Sequence, residues 1–96
     1  MSTKEAYKQK MKAELELAQA KLAELKAEAK IAGADARIQY DKQIEALEQG
    51  LDSTKAKLKE LGEAGEEAWQ QLKAGVDSAW DTVTAAVQEA AAKFKR

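Results

Sequence analysis

The chain has 96 residues, 16 Lys+Arg against 17 Asp+Glu for a net charge of −1, and no histidine, cysteine or proline. Its length fits one small domain. The missing histidine and cysteine exclude disulfides, the commonest general base and metal ligands, and the Ser-His and Cys-His nucleophile pairs. The two charge signs are interleaved, which leaves no global field for steering to nucleic acid.

Hydrophobic residues make up 45% of the chain, but alanine dominates them and aromatics reach only 5%. Alanine buries little area at about 25 cal/mol per Å², yet it is the best helix former. An Ala/Glu/Lys/Leu mixture signals a long helix or coiled coil. Alternating β-branched and aromatic runs, the mark of strands, are missing. The expected fold is therefore all-α. The start of the chain is polar, with no apolar leader, and no apolar run is long enough to span a bilayer, so a cytoplasmic location is expected.

Ser2 and Glu5 stand at capping-box spacing, which predicts a first helix beginning near Thr3. Apolar residues then recur at steps of three and four: Met11, Leu15, Ala18, Leu22, Leu25, Ala29, Ala32 and Ala36, then Tyr40, Ile44, Leu47, Leu51, Thr54, Leu58 and Leu61. Each set is an a/d heptad seam. Ala36 to Ile44 is eight positions, so the two seams slip by one residue beside Gly33.

Two chain paths fit that slip. One is a continuous coiled-coil helix over 1–61 with a local change of supercoil pitch, about 88 Å long. The other folds back at Gly33-Ala34-Asp35 into an antiparallel pair. Continuity is favoured, because one glycine in Ala-rich flanks is a weak breaker. A single seam cannot be covered by its own helix, so Leu15, Leu22, Leu25, Ile44, Leu47, Leu51, Leu58 and Leu61 are expected to mediate self-association into a homo-oligomer, or to bind a helical protein partner.

Gly62 and Gly65 predict a break over 62–67. An amphipathic helix follows over 68–96. Ala68-Trp69-Gln70-Gln71-Leu72 and Val76 recur eleven positions on as Ala79-Trp80-Asp81-Thr82-Val83 and Val87. An eleven-residue repeat nearly matches a straight α-helix. It gathers Trp69, Leu72, Val76, Trp80, Val83, Val87 and Phe94 on one stripe, a candidate surface for a protein partner or for lipid. Indole rings favour membrane interfaces, and Lys93, Lys95 and Arg96 suit anionic headgroups. Against this, Asp77, Asp81 and Glu89 make the polar face acidic, where interfacial helices usually carry Lys or Arg. Burial of the tryptophans in a protein core is the stronger expectation.

The opening Met1-Ser2-Thr3-Lys4-Glu5-Ala6-Tyr7, the Lys/Glu/Ala/Leu middle and the tail AWQQLKAGVDSAWDTV together resemble a family of short bacterial coiled-coil proteins. Its members are described as coiled-coil domain-containing or stress-response proteins. The likeness spans the chain, and the tail is its more specific part. It implies a stress-associated protein without catalysis and transfers no site residues.

Carboxylate pairs occur at Glu24/Glu28 and Asp41/Glu45, but without the histidine of di-metal bundles they suit a solvated face. No metal, cofactor or catalytic residue is expected. Lys4, Lys8, Lys10 and Lys12 form a basic start too sparse for nucleic acid. Lys10–Glu14 and Lys12–Glu16 have the spacing of helix ion pairs. Three functions remain: a self-associating structural or interaction protein, a peripheral membrane-surface binder using Trp69 and Trp80, and a regulator gripping a partner helix.

Overall fold

The computed structural model describes residues 2–93, which form three helices. α1 spans Thr3–Ile31, α2 spans Ala34–Glu63 and α3 spans Trp69–Lys93; no strand occurs among the described residues. The helices run up, down and up in a rod of 50 × 19 × 18 Å. Its radius of gyration of 15.3 Å exceeds the about 13 Å of a rounded domain of ~100 residues, so the particle is one helix length long.

The all-α expectation holds, and the first helix starts as predicted. Ser2 Oγ accepts the Glu5 backbone N–H at 3.2 Å, which satisfies one of the orphan donors of the first turn. The continuous helix over 1–61 does not form. α1 stops at Ile31, Ala32 takes an extended backbone (φ −77°, ψ 151°), and Gly33 caps α2 without a side chain. The second turn repeats this chemistry: Ala64 has φ −78° and ψ 152°, and Gly65 follows. In both turns the alanine N–H donates to the carbonyl three residues back, Ala29 or Leu61. Neither glycine adopts positive φ. Their role is to make continued helix costly, by about 1 kcal/mol relative to alanine, at the point where folding back is rewarded.

That reward is coverage of the seams. Met11, Leu15, Ala18, Leu25 and Ala29 of α1 and Tyr40, Leu47, Leu51, Thr54, Leu58 and Leu61 of α2 are all buried. Leu22 and Ile44 are half-buried against the same core. Ala36 of the first seam is exposed, because the turn has already redirected the chain. The stripe expected to need a second chain is thus covered by the chain's own helices. Across the hairpin, Tyr40 donates from its hydroxyl to Glu28 Oε2 at 3.1 Å, and Lys26 Nζ lies 3.4 Å from Glu48 Oε1.

Burial in α3 does not follow the eleven-residue repeat. Its buried positions are Trp69, Val76, Ala79, Val83, Ala86 and Ala90, which is heptad spacing. The small side chains turn toward α2, while Leu72, Trp80 and Val87 flank the core and are half-buried. Gly50 explains the choice. A Cβ built on Gly50 would lie 2.9 Å from Val83 Cγ2 and 3.4 Å from Val83 N. Small side chains let helix axes approach toward the lower end of the usual range, about 8–10 Å. Next to it, Thr54 is fully buried and donates its hydroxyl to the Gly50 carbonyl at 2.8 Å. α2 therefore meets both neighbours along its length, whereas α1 and α3 touch only over a short stretch.

Two substitutions test this packing by urea denaturation. Gly50→Leu drives a side chain into Val83 and should lower stability by about 3 kcal/mol; an unchanged midpoint would refute the close approach. Gln43 is 5% exposed, and its Oε1 has no hydrogen-bond partner among the described residues. Gln43→Met keeps the volume, removes that desolvated oxygen and should raise stability by about 1 kcal/mol.

Candidate functional site

The sequence expectations named two surfaces, and the structure places both mainly inside the bundle. Of the self-association residues, Leu15, Leu25, Leu47, Leu51, Leu58 and Leu61 are buried, and Leu22 and Ile44 are half-buried. Of the tail stripe, Trp69, Val76 and Val83 are buried, and Leu72, Trp80 and Val87 are half-buried. Phe94 lies outside the described residues. The tryptophans therefore part company: Trp69 belongs to the core and Trp80 to its edge.

Trp69 packs against the first turns of α1. Its ring centroid is 6.0 Å from that of Tyr7, at an interplanar angle of 35°. The Tyr7 hydroxyl donates to Asp77 Oδ1 at 2.5 Å, and Lys73 Nζ stands 5.5 Å from the Tyr7 ring centre. Lys4 Nζ donates to the Ala64 carbonyl at 2.6 Å, satisfying a group left open where α2 ends. Together these contacts tie the start of α1 to the second turn and to α3. Burial pushes the Tyr7 phenol above its ordinary value of 10.0; the hydrogen bond to Asp77, then the charges of Asp77 and Glu14, push it the same way.

Trp80 opens onto a different feature. Where α1 and α3 diverge, a groove of about 400 Å³ runs between them. Ala18, Trp80, Val83 and Val87 form its apolar part. Leu17 stands on its α1 bank and is 74% exposed. Burying such a side chain is worth about 1.5–3 kcal/mol, so the closed bundle leaves an uncovered apolar side chain beside a ready cavity. Glu14 and Lys21 bracket Leu17 on the same bank. Leu17 carried no signal in the heptad pattern, since it falls two positions after Leu15; its value lies in standing off the seam.

Chemistry does not converge anywhere comparable. Among the described residues no three Asp, Glu, His or Cys side chains gather as a metal site, and no helix is long and apolar enough to cross a membrane. The pairs expected at Lys10–Glu14 and Lys12–Glu16 are absent among the described residues; the ion pairs there are Lys8–Glu5, Lys21–Glu24, Lys26–Glu48 and Lys93–Glu89.

The Tyr7 clasp has a pH signature. Below pH 10 the folded and unfolded chains both keep the phenolic proton, so stability is flat with respect to this group; above it the unfolded chain ionises first and stability falls as pH rises. An alkaline absorbance titration of the folded protein should show a late-ionising tyrosine that Tyr7→Phe removes. If Tyr7→Phe instead removes a tyrosine of ordinary pKa, the clasp is not formed.

No family model matches the sequence, and no curated protein or solved structure matches it.

Proposed function

We propose that this chain is a non-enzymatic helical interaction protein that self-associates across the Leu17–Trp80 groove rather than through its heptad seam. The observation carrying this reading is the charge order around Leu17. Along one outer line of α1 stand Lys10, Glu14, Leu17, Lys21 and Glu24, which reads plus, minus, apolar, plus, minus. Laid antiparallel on a second copy about a two-fold axis at Leu17, Lys10 meets Glu24 of the other copy and Glu14 meets its Lys21. Each Leu17 then reaches the apolar cavity beside its partner's Trp80. A surface that is self-complementary in both shape and charge is what an isologous dimer needs.

A specific dimer of this size would have to bury about 600 Å² per copy, roughly a tenth of the 6208 Å² surface, so the interface must extend from the groove along the charged line of α1. The charged rim sets orientation and contributes little affinity, because exposed pairs are worth about 0–1 kcal/mol. The apolar centre supplies the binding.

A stress-response role is carried by the resemblance of the opening and of the Trp69–Trp80 tail to the short bacterial coiled-coil family. A lipid-surface role has weaker support, because Trp69, Val76 and Val83 are already buried in the bundle and α3 would have to leave it to present them.

Sedimentation at micromolar concentration is the test. Wild type should be a dimer. Leu17→Glu should be monomeric with unchanged helix content, since a two-fold interface buries Leu17 twice and its loss costs about 3 kcal/mol or more, about a hundredfold in Kd. Glu14→Lys alone should weaken the dimer, and Glu14→Lys with Lys21→Glu should restore it. A monomeric wild type, or a dimer indifferent to Leu17→Glu, would end the proposal.

A further inference from the structure

A second groove lies between α1 and α2, at the end of the bundle away from the Gly33 turn, with a volume of about 460 Å³. Lys8 and Lys12 stand on its α1 bank, Lys55 and Lys59 on its α2 bank. Leu15 and Leu58, each 6% exposed, form the floor. Gly62 leaves room for the Lys8 stem to lie across one end: a Cβ there would lie 3.3 Å from Lys8 Cε. One carboxylate, Glu63, joins four ammonium groups along this groove, in a chain whose net charge is −1. Cations are therefore collected here against the average of the molecule.

They are also unspent. Among the described residues Lys12, Lys55 and Lys59 have no ion-pair partner, and Lys8 has only Glu5, at 3.7 Å. Facing ammonium groups across an apolar floor repel one another and gain nothing within the chain. An anionic occupant with an apolar centre reverses both terms.

We infer that this groove docks an acidic amphipathic helix of a partner protein, with the partner's apolar stripe over the lysine methylene stems that flank Leu15 and Leu58 and its flanking carboxylates on the two lysine banks. The spacing fits that occupant. Lys8 and Lys12, like Lys55 and Lys59, are four residues apart, about 6 Å along the axis, and carboxylates at i and i+4 of a docked helix share that rise. This is the arrangement of a coiled-coil seam, apolar at a and d with charges at e and g that select the partner. Helix-in-groove recognition uses the same geometry. Phosphate-based ligands fit less well. They leave the apolar lysine stems unused, and none of the residues lining the groove is aromatic, whereas single-stranded nucleic acid stacks on such rings. The surface is separate from the Leu17–Trp80 groove, so the two proposals stand or fall independently.

The test is fluorescence anisotropy with two labelled helical peptides, one with Leu at a and d and Glu at e and g, the other with Lys at e and g. The Glu peptide should bind the full chain with an affinity that falls as salt rises, and the Lys peptide should not bind. Lys12→Gln with Lys55→Gln, a mild pair at exposed positions, should weaken the Glu peptide by about tenfold while Leu17→Glu leaves it unchanged. Reversing all four lysines to glutamate should transfer binding to the Lys peptide, with helix content checked by circular dichroism. The inference is overturned by no binding of the Glu peptide at low salt or by equal binding of both peptides. Tighter binding of inorganic polyphosphate or of phosphatidylglycerol vesicles than of the Glu peptide would reassign the groove to phosphate. Loss of dimer mass in the lysine variants would reassign it to a second copy.

Discussion

The close contact of Gly50 with Val83 sets the shape of the molecule. An alanine-rich chain with few aromatics gains little from each buried side chain, so it must gain by bringing helices together. α2 and α3 do so along Gly50 on one side and Ala79, Val83, Ala86 and Ala90 on the other. Close packing of backbones recovers in dispersion what small side chains forgo in area. It also fixes the rotation of α3. Once the alanines face α2, Trp80 and Val87 are turned toward α1 and cannot be fully covered. α1 carries mid-sized leucines and lies against α2, so it does not close on α3 over most of the rod. The apolar α1–α3 groove follows from this geometry and needs no residue placed there for the purpose.

On the proposals above, charge decides what such grooves accept. Both open onto apolar floors, and both are framed by charged side chains of α1. At the Leu17 groove the frame alternates in sign about a centre, which matches a copy of itself. At the Leu15–Leu58 groove the frame is almost wholly positive, which repels a copy of itself and matches an acidic stripe. On these proposals α1 would present two specificities through different faces, the second shared with α2, and the difference lies in charge order, which costs little stability because exposed charges contribute little to folding. The Tyr7–Asp77 bond and the Lys4–Ala64 contact hold the start of α1 in place, so both frames are presented by a fixed backbone.

Much of this fold was legible in the sequence. The seams from Met11 to Ala29 and from Tyr40 to Leu61 appear as a and d positions because leucine and isoleucine mark them plainly, and Ser2 marks the start. The hairpin is harder to read, because Gly33 taken alone is a weak breaker. The stronger signal is the Ala-Gly pair at 32–33 repeated at 64–65: both pairs lie just past a helix end, with the same backbone angles at the alanine. The slip between the seams was real, but it records a reversal of direction rather than a change of pitch. In α3 the large residues follow an eleven-residue repeat, while the alanines, weak markers of periodicity, set the buried face.

The candidate sites were less legible for a related reason. Periodicity finds residues that satisfy a helix's own packing, and a surface left for another molecule consists of residues that do not. Leu17 sits outside the seam, and Lys8, Lys12, Lys55 and Lys59 belong to two helices whose adjacency only the hairpin creates. The expectation that one apolar stripe per helix demands another helix was sound as physics. The chain meets most of that demand by supplying three helices of its own. Three parallel rods with one tight pair cannot cover every side of an asymmetric core, so some demand is left over at the grooves. Association, on this view, is driven by what remains after folding and not by the seam that drives folding itself. On the proposed reading, a partner would come and go without unfolding the bundle that receives it.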